Sequence, residues 1–266
     1  MSRLDEIHNI SLEMMKAIRT VCEKHDITFY LDCGTLLGAV RHKDFIPWDD
    51  DVDLSMKRAD YIKFLSVAHE LPAPYKLVLP NEYGGYFFDF VPRVVNMDEP
   101  LRPETPEDIA QNNYQNRIAA DIFILDDAPV GKLATKIAIF RQKMIYGYAM
   151  AHRYNKDTQK HTLFNRVKIK VLGLIGKTMS LEKILKKQEK LSLKYSGSAG
   201  DEYIITNTAM EFIDIPYKKE SFENSVKLPI GEELFTCPAG YDAVLTAFYG
   251  DYMTPPKEED RRPIHI

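Results

Sequence analysis

The chain has 266 residues, 45% hydrophobic and 28% charged, with a net charge of −4. That composition suits one large, well-cored domain, or a domain with a helical insertion, and excludes a disordered chain. Cys22, Cys33 and Cys237 are widely spaced and form no C-x-x-C pair, which excludes a disulfide framework or thiolate zinc site and favours a reducing, cytoplasmic setting.

The opening MSRLDEIHNI lacks the apolar centre of a signal peptide, and the apolar run 171–176 in the basic region is far too short to cross a bilayer. A soluble protein is expected, touching a membrane only at its surface. From Asp5 to His25, Ile7, Ile10, Met14, Ile18 and Val21 recur at spacings of three and four, which predicts a helix with one apolar face. Ile27 to Leu31 reads as a short strand, Gly34-Thr35 as a turn, and Thr35 as the cap of a helix through Val40.

Beyond Pro47, Asp51 to Met56 alternates polar and apolar residues. A strand there sets Asp51, Asp53 and Ser55 on one side and Val52, Leu54 and Met56 on the other. A helix over Tyr61–Ala68 ends before Pro72 and Pro74, and Tyr75–Leu79 and Tyr86–Val95 read as strands or a hairpin. Met97–Asn116, with three prolines, reads as a long loop of the kind that covers a site. Ile118–Leu125 reads as a buried strand whose single charge, Asp121, needs a partner. Gly131–Tyr195 is helical in pattern, with breaks near Asp157 and at 173–180; a loop-rich section holds Pro216 and Pro229, and Pro238–Tyr249 fits a last helix before an extended tail. The fold class expected is α+β: a mixed sheet flanked by helices, with a basic helical region.

The acids Asp49, Asp50, Asp51 and Asp53 fall within five residues, a density that costs repulsion and desolvation unless a cation lies between them. Carboxylates two apart on a strand lie about 6.5–7 Å from each other, a separation that reaches one hard cation or brackets a pair. Magnesium, with manganese as a substitute, takes such oxygen ligands and completes its shell with water and phosphate. Asp121 is the best third carboxylate in the sequence. Gly34 and Thr35, opening a helix, suit the close approach of a phosphate, and Arg41 suits its bidentate recognition.

A solvated acidic turn is the plain alternative for the cluster, a structural ion pair for Asp121 and a surface salt bridge for Arg41. A calcium loop beginning at Asp49 would need glycine where Leu54 stands. His265, beside Arg261 and Arg262, belongs either to a loose tail or to a lid. Trp48 and the tyrosines and phenylalanines at 83, 86, 248, 249 and 252 are core residues by default, one or two of them suited to box a quaternary ammonium.

The runs GTLLGAVRHKDFIPWDDDVDL, ADIFILDDAP and YGDYMTPP together resemble the LicD family, bacterial phosphocholine transferases related to fukutin and fukutin-related protein. The resemblance covers roughly the first 130 residues and returns near the carboxyl end. It departs from the family pattern within IFIL, where members carry proline, and at Asp44, where they carry glycine. It implies a nucleotidyltransferase-like fold in which Gly34 and Thr35 form the turn, Asp51 and Asp53 the D-x-D, and Asp121 the third acid. It further implies two magnesium ions on Asp51, Asp53 and Asp121; Gly34, Thr35, Arg41, Trp48 and His265 are the residues expected on the substrate. The implied reaction moves a phospho-alcohol group from a carrier such as CDP-choline to a hydroxyl of a teichoic acid precursor or other surface glycan. The same resemblance leaves open a nucleotidyltransferase, a polyol-phosphate transferase, or a divalent-cation or phosphoglycan binding module without turnover. The organisation expected is a catalytic core at 1–130, a basic helical region at 131–200, and a segment at 201–266 that completes the catalytic domain.

Lys132–Lys194 holds 16 Lys and Arg against Asp157, Glu182 and Glu189, a net of +13. This is either a solvated face or an attraction to an anionic partner: a lipid-linked acceptor or the headgroups of the cytoplasmic membrane face. No nucleic-acid motif accompanies the charge.

Overall fold

The computed structural model describes residues 2–154, 163–208, 210 and 212–266. Helix α1 (Arg3–Lys24) starts two residues earlier than its apolar spacing predicts, because Ser2 and Asp5 form a reciprocal capping box that satisfies otherwise unpaired N–H groups. Its predicted face, with Ile7, Met14, Ile18 and Val21, is buried.

Strand β1 (Phe29–Leu31) leads into α2 (Cys33–Arg41), then β2 (Val52–Lys57) and α3 (Arg58–Val67). The cap of α2 is Asp32, not Thr35: the Asp32 side chain accepts the Cys33 N–H, and Thr35 sits inside the first turn. Strands β3 (Tyr75–Val78), β4 (Arg93–Pro100) and β5 (Arg117–Asp127) follow. The expected long loop at 97–116 instead contains the end of β4 and a short helix, α4 (Pro106–Ala110), which Thr105 and Asp108 cap reciprocally.

The sheet is mixed, as the α+β expectation requires. Among the described residues it runs β1-β2-β5-β4-β3, and only β2 and β5 pair in parallel. The last residues of β5 pair with β6 (Glu202–Ile205), which pairs with β7 (Tyr217–Lys218). Val52, Leu54 and Met56 of β2 are buried with Ala120, Ile122 and Ile124 of β5 and the apolar face of α1 in the main core. Cys22, Cys33 and Cys237 are buried and unpaired.

Helices α5 (Lys132–Ala149), α6 (Leu163–Lys177) and α7 (Leu181–Leu193) occupy the basic region. The expected break near Asp157 lies outside the described residues, and Gly173 falls within α6 rather than ending it. A buried network ties α7 to the sheet: Arg58 forks onto Asp126 at 2.7 and 2.9 Å and reaches Glu189, while Thr206 donates to Asp126 at 2.6 Å. No helix among the described residues is long and apolar enough to cross a membrane.

The section expected to be loop-rich holds a hairpin, β8 (Ser225–Ile230) with β9 (Glu233–Pro238). Pro229 is tolerated there because each strand of a two-stranded ribbon keeps a free edge. Pro238 closes β9, and α8 (Tyr241–Tyr249) begins three residues later than expected, with Gly250 just beyond its end.

Candidate active site

The D-x-D acids are placed by the join between α2 and β2. The Asp32 N–H donates to the Asp53 carbonyl at 3.0 Å, and the Asp53 N–H donates to Thr35 Oγ1 at 2.9 Å. Thr35 is buried, so its hydroxyl fixes the strand from beneath. The Gly34 N–H points at Asp53 Oδ2, 3.4 Å away. A methyl group at Gly34 would meet Asp49 Oδ2, so the Asp49 carboxylate would have to move aside. Cys33 just before it holds a left-handed φ of 41°, a strained conformation of the kind that collects at functional sites.

Across the sheet, Asp53 is the Cα partner of Asp121, and Asp121 is in turn the partner of Arg93 on β4. The third carboxylate is thus brought beside the D-x-D by parallel pairing. Asp51 and Asp53 belong to the same alternation, and Asp49, Asp51, Asp53 and Asp121 line one cavity of about 990 Å³. Gly34, Arg41, Trp48 and His265 line it too. Of the residues expected at the site, Thr35 alone is not on its wall.

The electrostatics record a crowd of like charges. Burial, reinforced by Asp51 and Asp50, pushes the Asp49 carboxyl up to about 8. Burial together with Asp51, Asp121 and Asp49 holds Asp53 well above the usual carboxylate range. Burial also raises Asp51. Asp121 is pushed up to about 6 by burial, with the Arg93 guanidinium opposing.

Arg93 grips Asp121 with Nε to Oδ1 at 2.7 Å and Nη2 to Oδ2 at 3.1 Å, and also holds Asp89 at 2.6 and 2.9 Å. Its guanidinium lies 4.9 Å over the Phe88 ring. Sequence reasoning missed both Arg93 and Asp89. The signal for the arginine was available, because a lone cation in the run 91–95, VPRVV, must find a buried partner.

Asp50 points away from its neighbours. It accepts the N–H groups of Ile264, His265 and Ile266 at 3.3, 2.8 and 3.0 Å, and pairs with His265 Nδ1 at 2.9 Å. These bonds bring His265 within 4.0 Å of Asp51 Oδ2. The Asp50 bond raises the imidazole above its ordinary value. Arg41 donates to the Tyr252 carbonyl at 2.8 Å, and Arg261 lies 5.3 Å over the Trp48 ring. The tail therefore packs along the cavity rim. Phe248 stacks on Phe212 with centroids 4.9 Å apart and tilts against Tyr249 at 4.8 Å, forming an aromatic wall of the same cavity.

Among the described residues, no three Asp, Glu, His or Cys side chains are drawn together tightly enough to hold a metal ion as they stand. The donor chemistry nonetheless fits a hard cation. Every candidate ligand is a carboxylate, the donor a hard cation takes, and burial first and neighbouring carboxylates second raise Asp49 and Asp53.

A D-x-D beside a third acid across a parallel strand pair, preceded by a Gly-Thr helix start, is the arrangement that the resemblance implied. Residues 26–84 match the family model described as LicD/FKTN/FKRP, nucleotidyltransferase domain. Over that segment the match agrees with the resemblance read from the motifs. Over 99% of its length it is 27% identical to lipopolysaccharide cholinephosphotransferase LicD of Haemophilus influenzae, covering 96% of that protein. It is also 44% identical over 48 residues to human ribitol 5-phosphate transferase FKRP, a match spanning 18% of this chain and 10% of FKRP. A third similarity, 39% over 66 residues, is to an uncharacterized protein of Rickettsia typhi and spans 24% of this chain and 21% of that one.

Proposed function

We propose that this protein transfers a phospho-alcohol group, with phosphocholine favoured, from a CDP-linked donor to a hydroxyl of an anionic cell-surface glycan such as a teichoic acid precursor. The observation that carries the reading is the convergence of Asp51, Asp53 and Asp121 on a single cavity, whose volume lies at the upper end for small-molecule sites. The likeness to a cholinephosphotransferase over nearly the whole chain supports the class of reaction. The aromatic wall of Phe212, Phe248 and Tyr249 supports a quaternary ammonium head group, which binds ring faces.

In this reading Gly34 and Arg41 face the donor's diphosphate, while Trp48 and His265 bind substrate at the rim. Asp121 accepts the proton of the attacking hydroxyl, and Arg93 keeps its carboxylate aimed. The hydroxyl oxygen bonds to the donor phosphorus as the bond to CMP breaks. Asp51, Asp53 and Asp121 would hold magnesium or manganese, as two ions, whose charge would neutralise the phosphate oxygens. Segments 1–130 and 201–266 would form the catalytic unit, with Tyr146 and Arg153 of 131–200 adding to its cavity wall. The cytoplasm, where nucleotide-linked donors reside, would be the place of work.

The test is CMP release, with mass analysis of the acceptor glycan, in separate incubations with CDP-choline, CDP-ribitol and CDP-glycerol. Release with CDP-choline alone is expected. Release only with a polyol donor would reassign the head group, and no release with any donor would leave a binding module.

A further inference from the structure

The helical region presents a surface that catalysis does not use. On α5, Leu133, Ile137 and Phe140 follow at spacings of four and three, so they share one narrow stripe. The stripe faces outward, with Leu133 73% and Phe140 59% exposed. The opposite face of α5, with Ala138, Ile139, Gln142 and Ile145, is buried in the protein. The helical wheel sets Lys132 and Lys136 on one flank of the stripe and Arg141 on the other, all of them exposed. Helix α6 packs over the continuation of the stripe, its Leu172 against Gly147, and adds its own outward apolar residues Val171, Leu174 and Ile175 between Lys170 and Lys177.

Large apolar side chains on a solvated face cost free energy unless something covers them. A soluble polyanion would use the cations and leave the stripe wet. A bilayer with anionic headgroups uses both, because an interfacial helix sinks its apolar stripe below the headgroups while flanking lysines and arginines meet the phosphates. Charge complementarity points the same way, since the 132–194 segment carries +13 in a chain whose net charge is −4.

We propose that α5 and α6 form a membrane-docking surface for anionic lipid, with Leu133, Ile137 and Phe140 inserting and Lys132, Lys136 and Arg141 contacting headgroup phosphates. This surface is independent of the acid cavity, so its test stands apart from the assay of turnover.

The experiment is sedimentation of the full chain with vesicles of phosphatidylcholine alone and of phosphatidylcholine doped with phosphatidylglycerol. Preferential binding to the doped vesicles is expected. The pair Leu133→Ser with Phe140→Ser should weaken it about tenfold, as should Lys132→Glu with Lys136→Glu. Far-UV circular dichroism and CMP release from CDP-choline should stay as in the wild type. Absence of binding to doped vesicles, or binding that the serine pair leaves unchanged, overturns the proposal. So does light scattering that finds a dimer which the serine pair converts to monomer, since the stripe would then be an interface between copies. Binding to inorganic polyphosphate without binding to vesicles would assign the cations to a soluble polyanion and overturn it as well.

Discussion

Asp53 and Asp121 stand opposite each other as Cα partners in the parallel pairing of β2 with β5, although α3, β3, β4 and α4 lie between them in the chain. Their side chains meet in the same cavity. Replacing Asp53 with Asn is expected to lower turnover by about 10²–10³-fold. The fold should not suffer, because the substitution removes one charge from a cluster of like charges. Thermal unfolding should occur at the same temperature or roughly 2–4 °C higher. Near-wild-type CMP release by this variant in magnesium would refute the site.

The crowded acids make stability depend on pH. Asp49 titrates at about 8 and Asp121 at about 6 in the folded chain, against 3.8 for an ordinary aspartate. Between those values the native state binds more protons than the unfolded one, so unfolding free energy should fall as pH rises from about 4 to about 8. Groups with depressed values, such as Glu70 at about 2, titrate below this window. Urea titrations without divalent cation should show the decline, and added magnesium should flatten it.

Arg93 is the only cation bonded to both Asp89 and Asp121 among the described contacts. Arg93→Met would leave two largely buried carboxylates facing each other, at a cost of about 3–5 kcal/mol. Arg93→Lys retains the charge without the planar fork, so it should cost less stability yet still reduce turnover, because Asp121 loses its fixed orientation. Urea unfolding and CMP release measure the two effects separately.

At Gly34 an added methyl group meets the Asp49 carboxylate. Gly34→Ala should reduce turnover by at least about tenfold and lower the unfolding temperature by roughly 2–4 °C. If the collision is with Asp49, the thermal cost should shrink in an Asp49→Ala background, a coupling that a double-mutant cycle reads directly.

Asp50 tethers the segment 264–266. Asp50→Ala should free it, raising trypsin cleavage after Arg261 by about tenfold while the rest of the chain stays resistant. Unchanged cleavage would show that other contacts, such as the Trp48–Arg261 stacking, retain the tail.

Much of this is legible in the sequence itself. The face of α1, the alternation of β2 and the isolated charge of Asp121 are local patterns, and each survives in the fold because burial selects the same residues. What was not legible depends on pairing between distant segments. Nothing local says that β5 joins β2 in parallel, or that β4 delivers Arg93 to the far side of Asp121. Asp50 could not be told from Asp49 and Asp51, since only the return of the tail gives it a different partner. The β8–β9 hairpin was hidden by Pro229, which argues against a strand wherever both edges are occupied. Asp32 was passed over as a helix cap because Thr35 satisfied the same rule three residues later.

Because parallel neighbours cannot be joined by a tight turn, the chain between Lys57 and Arg117 is a crossover whose length the β2–β5 register never senses. Its exposed turns can be lengthened as long as Arg58, Asp89 and Arg93 keep their bonds. A single deletion between Asp51 and Lys57 would instead rotate the acids to the opposite side of the sheet. The exposed turns of the crossover are thus free to vary in length, whereas the strand carrying the acids tolerates no insertion or deletion.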